Sequence, residues 1–551
     1  MKLFHLLVLA FLSLNLLAEI PQKDEIDKVF AKFDKPNVPG ASLGIIQDGK
    51  LIYARGYGMA NLEYDIPNDA KSVFRIGSTS KQFTAACIVL LSQKGKLSLT
   101  DTLDKFFPDF PDYAKEVTVQ HLLNHTSGIR DYLTLAALKG FRADEYYEDA
   151  DVMQWLVSQQ NINFKPGEEF LYSNSGYWLL GQIVNKVAEM NMSEFAEKEM
   201  FKPLGMSNTH FHNDHNRIIK NRASGYSPKG ENTFEINMTT LNMIGDGGIF
   251  TTIEDILLWD QAYYQSEVLN KDFWDLMTKQ GKLNNSNTLD YASGLFIDEY
   301  KGLKIISHGG AFVGFRAELL RFPEQHMSVA LFANRGDANP SSMAFQVADI
   351  ILQDKFIETS PVEPEISKKP ESKDTIIYPP KQLIGNYQVE PGVVLEFTIK
   401  DEILHAHQSW NDKSYNLKRI KGNLYQIPDD TTISFTFTEL KDGLTQLLIV
   451  NQGGGDSDWK RKVTINTSNI NLNEYVGKFY SSELDTTVII YLKEKQLFAR
   501  IKNNEQGQLK IEGIDKFMIE QTEIVFIRKN STIIGFAVNA GRVTNLEYKK
   551  L

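Results

Sequence analysis

The sequence of 551 residues has little of three things: cysteine, positive charge and long apolar runs. Cys87 is the only cysteine, so no disulfide can form within the chain. It lies on the apolar stripe of a predicted helix, where we expect it to pack in the core. Beyond the first residues, no apolar run reaches the ~20 residues that a membrane-spanning helix needs.

The low content of basic residues gives the chain an acidic balance. With 59 Lys and Arg against 70 Asp and Glu, the formal net charge is −11. Nucleic acid and anionic membrane surfaces both favour positive charge, so this balance argues against either as a partner. The hydrophobic share of 42% is typical of a soluble globular protein. The length predicts two or three domains.

Residues 1–18 are typical of a secretory signal peptide. Lys2 supplies the positive start, Leu6 to Leu17 form the apolar run, and Ala18 is a small residue at which cleavage could occur. The run of about 12 apolar residues is too short to span a bilayer. We therefore expect an exported protein, periplasmic or secreted, from which this segment is removed.

Residues 20–356 mix helical and strand-like patterns. Two apolar runs flank Asp48-Gly49, which is a strong hairpin signal. Apolar residues at helical spacing over residues 83–91 predict a helix that Gly95 ends. Strand patterns at both ends of this region predict one sheet built from both of its termini. Further helices are predicted at residues 151–159, 176–190, 253–265 and 341–356.

The composition changes after this region. Residues 357–381 are rich in Pro, Glu, Ser and Lys and lack periodicity, which predicts a linker. The rest of the chain alternates apolar and polar residues, as strands with one buried face do. Residues 382–467 and 468–551 also resemble each other weakly. Two small antiparallel β-barrels fit this pattern best.

The stretch "RIGSTSKQFTAACIVLL" places Lys81 three residues after Ser78, at the start of the predicted helix. Side chains at this spacing are neighbours on a helix. The positive end of the helix dipole disfavours a protonated amine there. An unprotonated amine beside a hydroxyl can take its proton and make serine a nucleophile. A capping serine followed by an exposed lysine is the alternative interpretation.

Two further groups of residues support the catalytic interpretation. Tyr172-Ser173-Asn174 follows a Pro-Gly turn and precedes a helical pattern, and a tyrosine near cations can shuttle protons. His308-Gly309-Gly310 lies between strand-like runs, and paired glycines let a substrate backbone approach closely.

The order and spacing of these three groups resemble the class C β-lactamase-like serine hydrolases, a family related to penicillin-binding proteins. The family includes D-stereospecific peptidases, carboxylesterases and β-lactamases. The resemblance covers roughly residues 25–355. It implies an α-β sandwich in which helices flank an antiparallel sheet, followed here by two lipocalin-like barrels. Supporting stretches are "LLNHTSGI" (122–129), "FKPLGMSNT" (201–209), "GDGGIFTTIEDILLW" (245–259) and "YASGLF" (291–296).

The resemblance implies a role for each matching residue. Ser78 matches the nucleophile that becomes acylated, and Lys81 and Tyr172 match the pair that activates it and moves protons. Asn174 matches a residue that orients the substrate. The oxyanion hole would be formed by the backbone N–H groups of Ser78 and Ala311. No metal or other cofactor is required.

The third group departs from the β-lactamases, which carry a lysine where this chain has His308. Histidine is only partly cationic near neutral pH, so it is a weaker anchor for a β-lactam carboxylate. A histidine there resembles the D-aminopeptidase and esterase branches. Arg316 is a candidate for holding a substrate carboxylate, with a purely structural arginine as the alternative.

Two other segments have open interpretations. Some D-aminopeptidases of the family send a loop from a C-terminal barrel into the cleft, and residues 451–460 are the candidate here, with an ordinary hairpin as the alternative. His210, His212 and His215 lie close together, but they occupy a polar stretch without a carboxylate at metal-binding spacing. We expect a solvated loop there. We expect His125 to be a packing and turn residue.

The sequence thus predicts an exported serine hydrolase that acts on a small-molecule or peptide substrate containing an amide or ester. D-amino-acid peptides are one candidate class. A carboxylesterase or a weak β-lactamase would use the same residues. A non-catalytic envelope- or lipid-binding protein is the alternative from another functional class. The sequence leaves the oligomeric state open.

Overall fold

The structure is a computed structural model. The predicted signal peptide, residues 1–18, and residues 358–376 of the predicted linker lie outside the described residues. The structure describes residues 20–142, 145–357, 377–390, 393–410, 412–428, 430–452, 455–462, 470–502 and 504–551.

The chain divides into two compact units. The first unit contains the residues up to Lys96 together with Gly181–Gly281 and Asp290–Ile357. The second contains Leu97–Leu180, Lys282–Leu289 and the region C-terminal to Ile357.

An antiparallel sheet forms the centre of the first unit. Ala41 pairs with Ala333, so the two ends of this region meet in the sheet as predicted. Asp48 and Gly49 form the tight turn of the predicted hairpin, both with positive φ. In spatial order the strands are Phe296–Tyr300, Leu303–Phe312, Phe315–Phe322, Met327–Ala333, Ala41–Gln47 and Lys50–Tyr57.

Helices cover both faces of this sheet. On one face, Ile26 and Val347 pack in the same cluster as Leu43 and Leu331. On the other face, a Cβ on Gly44 would lie 2.3 Å from the Ile253 side chain. The sandwich implied by the sequence is therefore correct. The helices of this unit are Lys23–Val29, Lys81–Gln93, Met192–Ala196, Ile253–Tyr264, Lys271–Met277 and Pro340–Ile351.

The helix Lys81–Gln93, here called the serine helix, is buried from Lys81 to Leu91. Gly95 follows it with a φ of +66°, as the sequence predicts for its end. Cys87 is fully buried, and burial raises the pKa of its thiol. The packing role expected for this cysteine is confirmed.

The second unit contains a helical part. The predicted helices at 151–159 and 176–190 are present and begin two residues earlier than expected. Glu148 and Asp151 cap the first of them reciprocally, which fixes its start. The helices that begin in this unit are Leu103–Phe106, Val119–Leu123, Tyr132–Leu138, Asp149–Val157 and Asn174–Ala188.

Within the described residues, the C-terminal region forms two closed antiparallel barrels of eight strands each. Buried and exposed residues alternate along their strands, as the sequence predicts for barrels with a filled interior. Leu395 and Phe397, for example, are buried, while Glu396 between them is exposed. The first barrel has strands Gly385–Glu390, Val393–Lys400, Ile403–Gln408, Lys413–Lys421, Leu424–Ile427, Asp430–Lys441, Leu444–Gln452 and Gly455–Arg461. The second has Gly477–Ser481, Thr486–Lys493, Gln496–Ile501, Asn504–Gly513, Lys516–Ile519, Thr522–Lys529, Thr532–Ala540 and Val543–Lys550.

Residues 451–460 belong to the last two strands of the first barrel, where Asn451 pairs with Asp456. Residues 453 and 454 lie outside the described residues. The prediction that a loop from this hairpin enters the cleft stays a prediction.

Short strands complete the first unit: Met59–Asn61 with Ile66–Pro67, Tyr226–Gly230 with Thr233–Ile236, and a sheet of Phe74–Arg75, Ile249–Thr251 and His210–Phe211. Among the described residues, no helix combines the length and the apolar content needed to cross a membrane.

Candidate active site

Ser78 lies in a short 3-10 helix, Gly77–Ser80, here called the serine turn, which leads into the serine helix. Gly77 has a φ of +52°, a conformation that favours glycine. Thr79, Ser80 and Lys81 are fully buried, whereas Ser78 is partly exposed. The turn therefore presents one hydroxyl to solvent.

Lys81 contacts that hydroxyl. Its Nζ lies 3.2 Å from Ser78 Oγ and 2.6 Å from the backbone oxygen of Asp246. Burial of an amine is costly unless it is hydrogen-bonded, and these acceptors meet that requirement. The sequence prediction that Ser78 and Lys81 face each other is confirmed.

The glycine-rich segment around Asp246 makes two more hydrogen bonds, one to the serine helix and one to the serine turn. Thr84 Oγ1 donates to the backbone oxygen of Gly245 at 2.6 Å. The backbone N–H of Ile249 donates to Ser80 Oγ at 3.1 Å. These bonds hold the Asp246 carbonyl against Lys81, which gives the "GDGGIF" stretch a structural role.

The strand Leu303–Phe312, here called the histidine strand, passes close to the serine turn. Thr79 Oγ1 donates to the backbone oxygen of His308 at 3.0 Å. A Cβ on Gly310 would lie 1.9 Å from the backbone oxygen of Ile76, and one on Gly77 would lie 2.8 Å from the nitrogen of Ala311. Only glycine allows this approach of the two backbones.

The histidine strand is open along one edge at this point. The neighbouring strand Phe296–Tyr300 pairs with it only as far as Ser307. From His308 to Phe312 its sheet partner is the strand Phe315–Phe322. Ala311 is exposed there.

His308 is only 2% exposed and is held in one tautomer. Its Nδ1 lies 2.6 Å from the backbone oxygen of Gly309, which can only accept, so Nδ1 carries the proton. Nε2 then accepts from the hydroxyl of Tyr291 at 3.0 Å. Burial lowers the pKa of His308 to about 3. The imidazole is therefore neutral near pH 7.

Glu318 lies on the strand next to Gly309 and Gly310. This residue was not identified from the sequence. It pairs with Gly309 in the sheet, and it is 4% exposed. Ser341 Oγ donates to its carboxyl group. Burial raises the pKa of Glu318 to about 7. The sequence did contain one indication of this residue, because Glu318 is an acidic residue within a largely apolar strand pattern.

Arg316 lies opposite Ala311 in the sheet. Its Nη1 donates to the backbone oxygens of Val313 at 2.9 Å and Phe315 at 2.7 Å. Burial lowers the pKa of this half-buried guanidinium. Arg316 thus braces the turn of its own hairpin, and the carboxylate role stays a prediction.

In the second unit, Tyr172 is positioned by His125. The two rings lie 4.1 Å apart between centroids. His125 has a φ of +57°, and its Nδ1 accepts from the backbone N–H of Ser173 at 3.1 Å. The expected packing and turn role of His125 is confirmed, and Tyr172 is one of the aromatic residues that its ring contacts, together with Tyr177 and Phe170.

Asn174 is 7% exposed and begins the helix Asn174–Ala188. Its backbone N–H donates to Asp131 Oδ2 at 2.7 Å. Ser173 Oγ donates to the backbone oxygen of Ile129 at 3.2 Å. The "LLNHTSGI" stretch and the residues after it therefore hold the Tyr172-Ser173-Asn174 segment in place.

Arg542 is a contact of Tyr172 that the sequence did not reveal. It lies in the turn between the last two strands of the second barrel. Its guanidinium carbon is 4.7 Å from the centre of the Tyr172 ring, and its Nη1 is 3.6 Å from Asp131 Oδ2. Asn163 Nδ2 donates to its backbone oxygen at 3.0 Å. No local pattern links this barrel turn to Tyr172.

The second barrel is anchored near this contact by a buried ion pair. Arg130 Nη1 lies 2.6 Å from Glu483 Oε2, and the Arg130 side chain is 0% exposed. Arg130 Nη2 also donates to the backbone oxygens of Thr544 and Asn545, at 2.9 and 3.1 Å. Removing either partner of a buried pair is strongly destabilising, so this contact holds the barrel against the helical part.

The structure thus brings together Ser78, Lys81, Arg316 and the segment His308–Ala311 in the first unit. Tyr172 and Asn174 belong to the second. Among the described residues, no group of three His, Cys, Asp or Glu side chains could hold a metal ion. The solvated loop expected around His210 and His212 is wrong, because both side chains are buried.

Comparison with known proteins adds a family match. Residues 26–350 match the family model described as Beta-lactamase. This match covers the serine turn, the segment Tyr172-Ser173-Asn174 and the histidine strand, and it ends before the two barrels.

Three individual proteins that resemble this chain share 22–28% of its residues in the aligned regions. Penicillin-binding protein 4* of Bacillus subtilis is 28% identical over 65% of this chain and 81% of its own length. A D-aminopeptidase of Gluconobacter oxydans is 25% identical over 54% of this chain and 56% of its own length. The structure of a penicillin-binding protein homologue from Pyrococcus abyssi superposes with a TM-score of 0.56 at 22% identity. That superposition covers 88% of this chain and 98% of that one.

Proposed function

Because the chain belongs to the beta-lactamase family, we propose that it is an exported serine hydrolase that cleaves small amides or esters through an acyl-enzyme on Ser78. The observation that carries the proposal is the 3.2 Å contact between Lys81 Nζ and Ser78 Oγ. It joins a fully buried amine to a partly exposed hydroxyl. A serine nucleophile requires both access to substrate and a base within hydrogen-bond reach.

Acylation starts with the unprotonated amine of Lys81. Ser78 Oγ attacks the substrate carbonyl while its proton passes to Lys81 Nζ. The backbone oxygen of Asp246 accepts a hydrogen bond from Nζ at 2.6 Å. It can do so before and after the proton is transferred, so it keeps the amine aligned with Ser78 throughout.

The negative charge that develops on the substrate oxygen needs hydrogen-bond donors. We assign this role to the backbone N–H groups of Ser78 and Ala311. The close approach of Gly77 to the nitrogen of Ala311 supports the assignment, as does the open edge of the histidine strand from His308 onward.

Tyr172 is assigned to the proton transfers that release the leaving group and activate the deacylating water. The order of the motifs supports this role, and so do the contacts with His125 and Arg542 that fix its ring. Asn174, buried at the start of its helix, is assigned to orienting the substrate.

His308 argues against one class of substrate, the β-lactams. Its imidazole is neutral at physiological pH, so it offers no full positive charge to the carboxylate of a β-lactam. Efficient antibiotic hydrolysis is therefore not expected. The similarity to a D-aminopeptidase supports peptides with D-amino acids as the first substrates to test. Export rests on the signal-like residues 1–18.

Covalent labelling tests the proposal. The folded protein is incubated with a fluorophosphonate or with penicillin, and peptide masses are compared with those of Ser78→Ala. We expect an adduct on the Ser78 peptide of the unsubstituted protein alone. If neither reagent modifies Ser78, the non-catalytic binding role is favoured. Rates on D-peptides, p-nitrophenyl esters and nitrocefin then separate peptidase, esterase and β-lactamase activity.

A further inference from the structure

A turn of the second barrel presents a cation beside Tyr172. This turn joins the strands Thr532–Ala540 and Val543–Lys550 and carries Arg542, whose side chain is 40% exposed. The guanidinium carbon lies 4.7 Å from the centre of the Tyr172 ring. Both residues belong to the second unit. In the proposed function this cation only fixes the ring of Tyr172.

The backbone of this turn is held in place. Gly541 adopts a φ of +49°, a conformation that favours glycine. The backbone oxygen of Arg542 accepts from Asn163 Nδ2 at 3.0 Å and from the backbone N–H of Asp131 at 3.3 Å. Asn163 Oδ1 accepts in turn from the backbone N–H of Thr544 at 2.8 Å. A charged group on a fixed backbone loses less conformational entropy when it binds a ligand.

The carboxylate of Asp131 is occupied by other donors. Its Oδ1 accepts from the backbone N–H groups of Leu133 and Thr134, at 3.0 and 3.3 Å. Its Oδ2 accepts from the backbone N–H of Asn174 at 2.7 Å. Arg542 Nη1 lies 3.6 Å from that oxygen, which is an ion-pair distance but too long for a hydrogen bond. The negative charge of Asp131 is thus stabilised mainly by the backbone donors.

The guanidinium of Arg542 therefore keeps hydrogen-bonding capacity. A guanidinium has five N–H donors in one plane. Within the described part of the chain, the contacts of this one are the Tyr172 ring and the long ion pair with Asp131. Packing on an aromatic face leaves the N–H edge of a guanidinium available. That edge matches the two oxygens of a carboxylate.

We propose that Arg542 binds a carboxylate on the leaving group of the substrate. The preferred substrates are amides or esters that release an amine or alcohol carrying a free carboxylate, such as peptides cleaved before their last residue. This inference rests on the proposed function, which assigns Tyr172 to the proton transfer that releases the leaving group. A group that takes its proton from Tyr172 lies next to the guanidinium on the same ring.

The carboxylate takes no part in the bond changes. The bond between the carbonyl carbon and the leaving nitrogen or oxygen breaks, and its electron pair stays on the leaving atom. That atom gains the proton that Ser78 gives up, delivered through Tyr172. Arg542 keeps its proton throughout, so it contributes only to binding and orienting the leaving group.

Two esters that differ only in the leaving group test the proposal. Phenylacetyl-D-alanine is esterified with 3-hydroxybenzoate or with 3-hydroxybenzamide, so that the released phenol carries a carboxylate or a neutral amide. For each ester, kcat/KM is divided by the rate constant of its hydrolysis by hydroxide, which removes the difference in intrinsic reactivity. We expect the unsubstituted protein to prefer the carboxylate ester roughly fivefold, the scale of an ion pair at a partly exposed site.

Arg542→Gln should lose this preference, and Arg542→Lys should keep part of it. The contact with the Tyr172 ring affects both esters alike and cancels in the ratio of their rates. Lys549→Gln is the matched control, because it removes the same charge from an exposed residue of the same barrel. This variant should keep the full preference.

A preference that is absent from the unsubstituted protein, survives in Arg542→Gln, or is lost equally in Lys549→Gln would overturn the inference. Labelling of Ser78 by a fluorophosphonate separates this failure from failure of the proposed function. Labelled Ser78 without the preference, or without cleavage of the carboxylate ester, overturns the inference and leaves the hydrolase assignment standing. Unlabelled Ser78 with neither ester cleaved overturns both.

Discussion

The guanidinium of Arg542 covers the ring of Tyr172, with 4.7 Å between the guanidinium carbon and the ring centre. The same group forms an ion pair with Asp131, whose side chain is 2% exposed. The backbone N–H of Asp131 donates to the oxygen of Arg542 at 3.3 Å. A turn of the second barrel is therefore part of the surroundings of Tyr172.

Arg542→Ala is expected to lower kcat by roughly two- to fivefold with little change in KM, because a cation over an aromatic ring contributes about 0.5–1 kcal/mol at an exposed site and the Arg542 side chain is 40% exposed. Arg542→Lys keeps the charge and should restore part of the loss. Lys549→Ala, an exposed change on the same barrel, is the control. Steady-state kinetics are compared among variants whose melting temperatures match that of the unsubstituted protein. An unchanged kcat in Arg542→Ala would exclude a positioning role for Arg542.

Lys81→Arg is expected to abolish acylation of Ser78 although the positive charge is kept, because arginine does not release its proton. Labelling by fluorophosphonate, followed by mass spectrometry, measures the effect. Lys94→Arg is the control, because Lys94 lies just beyond the same helix, half-exposed and paired with Glu199. Retained labelling in Lys81→Arg would remove lysine from the mechanism.

Gly310→Ala is expected to reduce kcat/KM by about a hundredfold, the scale of losing one oxyanion donor. Its Cβ would meet the backbone oxygen of Ile76 at 1.9 Å and push the histidine strand away from the serine turn. Gly309→Ala is the internal comparison, because its Cβ would approach a side-chain oxygen of Glu318 at 3.1 Å. Equal kinetics of the two variants would contradict the assigned oxyanion geometry.

Glu318→Gln is expected to stabilise the protein at alkaline pH. Burial raises the pKa of Glu318 to about 7 from 4.5, so the folded state holds a proton that the unfolded state has lost. The free energy of unfolding therefore falls as pH rises from 4.5 to 7, by on the order of 3 kcal/mol. Urea unfolding between pH 5 and 8 measures how the free energy of unfolding changes with pH. Its decrease should be smaller in Glu318→Gln and unchanged in Glu324→Gln, where the substituted residue is exposed.

His308→Gln is expected to reduce acid sensitivity. The folded pKa of His308, lowered to about 3, lies below its unfolded value near 6.5. The contribution of the neutral imidazole to the free energy of unfolding is therefore fully present above pH 6.5. It is lost progressively as the pH falls toward 3. Unfolding curves at pH 7 and pH 4 measure the difference, which should be smaller in His308→Gln. The partly exposed His407→Gln should behave as the unsubstituted protein does.

Several features were predictable because they depend on short-range patterns. The contact of Lys81 with Ser78 follows from their spacing on a helix. The hairpin at Asp48-Gly49 follows from turn chemistry. The barrels follow from alternation along each strand. Burial of His210 and His212 was missed, because a polar local sequence does not reveal that Phe250 packs against both rings.

The sequence by itself determined the serine turn with its lysine, the strands that contribute the glycine pair, and the order of the domains. These depend on backbone preferences and on side chains a few positions apart. Only the tertiary structure decided that Arg542 meets Tyr172 and that His308 is neutral. It also decided that Glu318 titrates near neutrality. Such contacts and pKa shifts depend on which distant segments exclude water from a side chain, and packing of the whole chain sets that exclusion.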